Sequence, residues 1–524
     1  MRARALLLAT TILAATPSAW AANGPPFRFA ESAGPLPVGL KVVEQFDYSR
    51  VYRHTTDALG KPYPGERARP LQTLVWYPAE SSHAKPMALD DYLNLQATET
   101  RFGESRTPAI VKHERVSMAP TLATPLRAVR DAPAAAGRFP VVVYAPSFSS
   151  VSWENADLCE YLASHGYVVI ASPSMGMATR NMTKDLAGID AQARDISFLL
   201  GYARSLPNAD MTKVAVAGFS WGGIANLFAA ARDNRIKALV ALDGSMRYFP
   251  DLVVQAGDVH PQRMTIPLLY FAQGEVTLEY QARYLGSVHD MTANVLNAWT
   301  HGDLITVHML GLTHQEFSSM FQREEDLWKD FYDKDFSDHE KADYGREDGI
   351  IGYGWVARYT LWFLDAYLKH DAAAASLLKK TPAENGVPRH FMAVSYREAK
   401  GRPASFDAFR AEIGRQGFGH TGDIYAAMHE QSPDFTLDEG MIDSWSDELI
   451  DDGHVPEAIR LLGLNVQMHP DSASAYAGLG EAYAQIGQGP SAIDSYQKAL
   501  QKDPLNVDIR HRLEELEKPA KKDP

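Results

Sequence analysis

From residue 139 onward, apolar and polar positions fall into two alternating patterns. Short unbroken apolar runs occur at "FPVVVYAP" (139–146), "YVVIASP" (167–173), "KVAVAGF" (213–219), "IKALVALDG" (236–244), "IPLLYFAQG" (266–274) and "LITVHMLG" (304–311). They are rich in β-branched residues and read as strands buried on both faces. Between them, apolar residues recur near the helical period. In "GIDAQARDISFLLGYARSLP" (188–207), Ile189, Ile196, Leu199, Leu200 and Leu206 share one face. "WENADLCEYLASHG" (153–166) and "GIANLFAAARD" (223–233) are two more helices, and "YGWVARYTLWFLDAYLKHD" (353–371) closes the series. The alternation predicts an α/β domain over 38–400 with a mostly parallel, doubly wound sheet. Such sheets place ligands at the carboxyl ends of their strands.

Upstream, "LQTLVWYP" (71–78) reads as a further strand ended by proline. The segment 79–138 that follows is too long for a plain loop. It contains the helix-like "LDDYLNLQATETRFG" (89–103), which makes the insert a candidate lid. Residues 22–37 are Pro/Gly/Ala-rich and read as a flexible lead-in.

Beyond 400 the pattern changes. Residues 401–437 read as a helical linker, and 438–518 carry a repeat. Tyr476, Leu479, Gly480, Tyr483, Ala492, Tyr496, Ala499 and Pro504 fall at tetratricopeptide offsets. A shift of about 34 residues back reaches a degenerate copy at Trp445, Leu449, Ala458, Leu462 and Pro470. "VDIRHRLEELEK" (507–518) would cap the array. Two repeats are fewer than the usual three for independent stability, so packing on the main domain is one role and binding a protein partner another.

Composition narrows the partners. With 524 residues, 45% hydrophobic and 22% charged, the chain is globular and long enough for two to four domains. A net charge of −14 with no basic run argues against nucleic acid and against a Lys/Arg-rich membrane-surface helix. At the amino terminus, Arg2 and Arg4 precede an apolar stretch, Ala5–Ala15, and a small-x-small site, Ala19-Trp20-Ala21. This is the layout of a secretory signal (1–21) cleaved after about Ala21, and the stretch is too short to span a bilayer. The expectation is a periplasmic or secreted protein without a transmembrane anchor. Cys159 is the only cysteine, so an internal disulfide is excluded; it reads as a small buried apolar side chain. The charged stretch 323–348 contains "DKDFSDHEKADY", which lacks the glycine and glutamate of a calcium loop and reads as solvated surface.

One motif carries chemistry. In "VAVAGFSWGGIANLFAA" (214–230), Ser220 lies between an expected strand and an expected helix, flanked by Gly218, Gly222 and Gly223. The Gly-x-Ser-x-Gly pattern alone is weak, because chance gives it at an appreciable rate in chains of this length, but the strand–turn–helix setting is that of a nucleophile elbow. A serine hydroxyl needs a base, and the base an orienting acid, in the order Ser, Asp/Glu, His. His314, in "GLTHQEFSS" beyond the last strand, is the candidate base. His308 lies within that strand, and His289 and His301 precede it. For the acid, Asp243 follows the strand "IKALVAL", while Glu275 and Glu279 follow the next one.

"GFSWGG", "ALDGSM" and "GLTHQEFSS" together resemble the platelet-activating-factor acetylhydrolase and dienelactone-hydrolase-like branch of the α/β-hydrolases. The resemblance covers about 38–400 and implies the acid in the "ALD" context, hence Ser220, Asp243 and His314 as catalytic residues. It implies an oxyanion hole formed by the backbone N–H groups of Phe148 and Trp221. In that family a His-Gly pair usually stands where this chain has Pro146-Ser147. The implied activity is cleavage of carboxylic esters through an acyl-serine, acting on a small-molecule or lipid ester, with no metal or organic cofactor required. A serine peptidase or amidase with the same residues, and an inactive hydrolase fold serving as a binding scaffold, are the alternatives.

Overall fold

The computed structural model describes residues 26–57, 59–102, 109–274, 294–324 and 344–518. The expected signal sequence, Glu275, Glu279, His289 and most of the charged stretch 323–348 lie outside them. The chain divides between Gly401 and Arg402 into two compact units.

Among the described residues of the first unit, ten strands form one sheet: β1 (Val38–Val51), β2 (Ala68–Pro78), β3 (Ala128–Arg130), β4 (Phe139–Ala145), β5 (Val168–Ala171), β6 (Ala209–Phe219), β7 (Ile236–Leu242), β8 (Leu268–Gln273), β9 (Leu304–Met309) and β10 (Met392–Arg397). Their order is β10-β9-β8-β7-β6-β4-β5-β2-β1-β3. β4 to β9 run parallel. β2 is antiparallel to both β5 and β1, and β10 is antiparallel to β9. This is the α/β-hydrolase fold.

The side-chain alternation of each inner strand feeds two apolar layers. Val142, Tyr144, Ala217, Phe219, Val240 and Phe271 face one layer with the helices Ala156–Ser164 and Arg346–Leu368. Val141, Val143, Val216, Leu239 and Tyr270 face the other with Leu186–Ala203 and Trp221–Arg232. Burial on both faces is why these strands read as unbroken apolar runs. β1, β3 and β10 lie at or near the sheet edges, and β1 and β10 mix exposed and buried positions. Their weaker patterns carried no strand signal.

The insert is built into the core. Leu89, Tyr92, Leu93, Val111 and Met118 are buried in the same layer as Trp76 and Trp153. Trp76 Nε1 donates to the Tyr92 hydroxyl at 2.8 Å, and that hydroxyl donates to Glu160 at 2.5 Å. Cys159 is buried and unpaired.

The second unit is all-helical. The helices Phe406–Gln416 and Thr421–Gln431 bury Phe409, Ile413 and Ile424 with Trp445 and Leu461. The segment read as a linker is therefore part of this unit's core. The helices Glu439–Asp451, Val455–Met468, Ala473–Gln485, Gly489–Lys502 and Val507–Glu517 follow, each of the last four packed on the one before. Small residues set that packing: a Cβ on Gly480 would stand 2.9 Å from the Tyr496 ring, and Ala458, Ala482, Ala492 and Ala499 are fully buried. Among the described residues no helix is long and apolar enough to cross a membrane.

Candidate active site

Ser220 joins β6 directly to the helix Trp221–Arg232. Its backbone sits at φ +52°, ψ −117°, a region L-residues rarely occupy. The neighbours hold it there. Its N–H donates to the Leu242 carbonyl at 3.0 Å, and its own carbonyl accepts from Ser245 at 2.7 Å and Gly223 at 2.9 Å.

The glycines are there for space. A Cβ on Gly222 would lie 2.0 Å from the Ala145 carbonyl oxygen, and one on Gly223 would lie 2.6 Å from the Gly244 Cα. On Gly218 it would lie 2.6 Å from the Asn226 side chain. The elbow helix therefore sits against the ends of β4 and β7, which turns the serine up to the sheet's carboxyl edge.

Register supplies the neighbour. Phe219 of β6 pairs with Leu242 of β7, so Ser220 and Asp243 leave adjacent strand ends together. Asp243 is fully buried, also at positive φ (+42°), and its N–H donates to the Phe271 carbonyl at 3.0 Å. His314 arrives from the turn after β9. Its Nε2 is 2.9 Å from Ser220 Oγ and its Nδ1 is 2.6 Å from Asp243 Oδ2. The imidazole packs 4.8 Å from the Phe219 ring and is about one-third exposed. His308 lies within β9 and His301 bonds the Gly401 carbonyl, so the structure brings neither to Ser220.

Three residues around Asp243 were not foreseen from sequence. The Tyr248 hydroxyl donates to Asp243 at 3.0 Å (Oδ1) and 3.1 Å (Oδ2), and the Gln273 N–H reaches Oδ1 at 3.4 Å. Arg247 Nη2 and Gln273 Nε2 donate to that same hydroxyl at 2.7 and 2.9 Å. The Arg247 guanidinium lies 3.9 Å from Asp243 and stacks over the Tyr248 and Tyr270 rings. Burial, reinforced by the Asp243 charge, pushes the Tyr248 phenol well above its ordinary range, so it stays a donor at all working pH values. No spacing rule singles these residues out, because the sheet register brings them together.

Phe148 and Trp221 are neighbours, with ring centroids 5.4 Å apart in an edge-to-face contact. Trp221 is the first residue of its helix, so its N–H has no intrahelical acceptor. The loop before Phe148 holds Pro146 and Ser147, the pair that departs from the expected His-Gly. The Ser147 N–H donates to Glu154 at 2.9 Å and its hydroxyl donates to the same carboxylate. Tyr144 donates to Glu154 at 3.1 Å, and burial raises the Glu154 pKa above the ordinary carboxylate range. The Glu154 carbonyl accepts from Met320 at 3.1 Å, and Asn155 accepts from Ser319 at 2.9 Å. The segment after His314 is thereby tied to the loop that carries Phe148.

A family model described as Chlorophyllase matches residues 100–245, a stretch that holds Ser220 and Asp243 but not His314. An uncharacterized protein of Pseudomonas aeruginosa is 29% identical over 154 residues, 28% of this chain and 41% of that protein. A carboxymethylenebutenolidase-like protein of Methylorubrum extorquens is 29% identical over 132 residues, 23% of this chain and 45% of that protein. The chain thus spans less than half the length of these curated relatives. Among solved structures, a ferulic acid esterase from Streptomyces cinnamoneus aligns at 19% identity and a TM-score of 0.49, covering 71% of this chain and 99% of that one. The family-model match and the strand order together describe an α/β-hydrolase fold, and that match lies on the segment that builds the elbow.

Proposed function

We propose that this chain is a serine hydrolase that cleaves carboxylic esters, with Ser220 as nucleophile, His314 as general base and Asp243 as orienting acid. The observation that carries this reading is the pair of hydrogen bonds Ser220–His314–Asp243, made at a strained strand-to-helix turn. Ser220 Oγ attacks the ester carbonyl while His314 Nε2 takes its proton, and Asp243 fixes the tautomer and stabilises the imidazolium. The N–H groups of Trp221 and Phe148 receive the developing oxyanion. His314 then protonates the departing alkoxide, leaving an acyl-serine. Water, deprotonated by the same imidazole, releases the acid and restores the hydroxyl. The esterase-like relatives support this reaction class. The amino-terminal pattern supports export to the periplasm or medium, and the helical second unit supports a tetratricopeptide-like appendage.

The test is hydrolysis of a series of p-nitrophenyl esters, with Ser220→Ala as control. Turnover should fall to background in the variant, and a fluorophosphonate probe should label only the parent protein. Parent-like turnover by Ser220→Ala would remove Ser220 from the role. A folded parent protein that neither turns over esters nor labels would leave the scaffold reading.

A further inference from the structure

The loop Ser147–Ser152 carries the Phe148 N–H, and it is not a regular turn. Ser149 holds φ +56° although it is not glycine. Such a conformation persists only where the surroundings over-determine it. Ser150 N–H closes onto the Ser147 carbonyl at 3.1 Å, and Ser174 N–H donates to the Ser150 carbonyl at 2.9 Å. Met182 N–H donates to Ser149 Oγ at 2.7 Å.

The remaining groups of the loop converge on one ion pair. Arg180 Nη1 donates to the Ser149 carbonyl at 3.0 Å and to the Ser174 carbonyl at 2.6 Å. Its Nη2 donates to the Ser150 carbonyl at 2.8 Å and to Glu99 Oε2 at 3.1 Å. The other oxygen of Glu99 accepts from the Ser152 N–H at 2.9 Å and the Ser152 hydroxyl at 3.0 Å. Glu99 comes from the 79–138 insert and its side chain is almost fully buried, whereas Arg180 is about 29% exposed. The pair therefore clamps three consecutive parts of one loop from two distant stretches of chain.

We propose that Arg180 and Glu99 are positioning residues for the oxyanion loop: a guanidinium–carboxylate clamp that holds Ser149 in its left-handed conformation and so aims the Phe148 N–H at the reacting carbonyl. The inference rests on the ester-hydrolase reading above and assigns the insert a part in turnover. The planar fork of arginine spans three carbonyls and a carboxylate at once, which a lysine ammonium does not. An oxyanion donor acts through its placement, and a shift of about 1 Å in such a group costs on the order of 10² in rate.

The experiment compares Arg180→Ala, Arg180→Lys and Glu99→Gln with the parent on one p-nitrophenyl ester. A trifluoromethyl ketone, whose carbonyl becomes tetrahedral when the Ser220 oxygen adds to it, is titrated against each protein alongside the planar carboxylic acid product. The expected result is a fall in kcat of about 10² for Arg180→Ala, little recovery in Arg180→Lys, and KM changed by less than about threefold. Affinity for the ketone, which binds as its tetrahedral serine adduct, should fall in step with kcat, whereas affinity for the planar acid should not. Because Arg180 is partly exposed, added guanidinium ion should restore part of the Arg180→Ala loss. Glu99→Gln keeps the shape of the clamp and guards against a variant that does not fold. If the folded variants keep parent kcat and parent ketone affinity, the proposal is overturned. A parent protein inactive on all esters would instead overturn the function on which it rests.

Discussion

Replacing Asp243 by asparagine asks what the buried carboxylate does. The Tyr248 hydroxyl has one proton and two acceptor positions. Arg247 Nη2 and Gln273 Nε2 occupy the acceptor positions at 2.7 and 2.9 Å, so the proton points at Asp243. The Gln273 N–H adds a second donor on Oδ1. An asparagine must therefore put its carboxamide oxygen where Oδ1 now lies and its NH₂ where Oδ2 now faces His314. An N–H donor 2.6 Å from Nδ1 demands an unprotonated Nδ1, which moves the imidazole proton to Nε2. That proton then faces Ser220 Oγ at 2.9 Å, and the proposed base is lost. The same tautomer reversal in other Ser-His-Asp sites costs about 10⁴ in turnover, or about 5 kcal/mol of transition-state stabilisation.

The assay is initial-rate hydrolysis of p-nitrophenyl butyrate, with thermal unfolding to show that the variant is folded. A second variant isolates the cause. Adding Tyr248→Phe to Asp243→Asn removes the main donor that orients the amide. It should recover roughly tenfold of the loss, because one hydrogen bond of about 1–1.5 kcal/mol fixes the amide's direction. A folded Asp243→Asn protein that loses less than tenfold would refute the role of Asp243. A full loss that Tyr248→Phe does not relieve would refute the tautomer argument.

Gly222→Ala places a methyl 2.0 Å from the Ala145 carbonyl oxygen, so it should lower the urea unfolding free energy by about 3 kcal/mol and abolish probe labelling. Gly478→Ala meets only a Leu462 methyl at 3.5 Å inside a helix and should stabilise the second unit by up to about 1 kcal/mol in the same measurement. Glu160 is fully buried, and burial raises its pKa to about 7 from an unperturbed 4.5. The folded state then holds the extra proton, so this contribution is complete below about pH 4.5 and is lost as pH rises through 7, by at most ~3 kcal/mol. Glu160→Gln mimics the protonated acid and should flatten that slope in urea titrations; coincident slopes for parent and variant would refute it. Cys159 is buried and its thiol is pushed well above the usual range, chiefly by burial, so a thiol reagent should modify one group only after unfolding.

The sequence made the inner sheet legible because burial on both faces turns a strand into an unbroken apolar run. It left β1 and β10 unread because mixed exposure dilutes the same signal. The elbow was legible for a different reason. Its glycines answer a local demand, the approach of one helix to the ends of β4 and β7, and local demands leave marks at fixed spacing. The partners of that elbow were only half legible. His314 stands beyond the last strand, where topology says to look, and Asp243 was singled out from Glu275 and Glu279 only by the family resemblance, whereas Tyr248, Gln273, Arg180 and Glu99 matter only through contacts that register and insertion create. Residues 401–437 looked like a linker because Phe409, Ile413 and Ile424 are sparse in polar surroundings; only their partners, Trp445 and Leu461, make them a core.

The backbone itself separates the site from the scaffold. Six non-glycine residues among those described have positive φ, and three of them are Ser149, Ser220 and Asp243. Each is pinned by hydrogen bonds to its neighbours. Ser220 and Asp243 continue the ladder past the ends of β6 and β7, through bonds to Leu242 and Phe271. Ser149 has no ladder to continue, and a charged side chain takes that part. Strain of about 1–3 kcal/mol at each position persists only where such support exists. Two of the three residues are thus held by the sheet, which any stable fold of this class must form. The third is held off the sheet, by Arg180 on its carbonyl and by the Met182 N–H on its hydroxyl, and Glu99 in turn holds Arg180; a change in the insert that frees Arg180 therefore alters turnover while leaving the sheet, the elbow and the Ser220–His314–Asp243 hydrogen bonds in place.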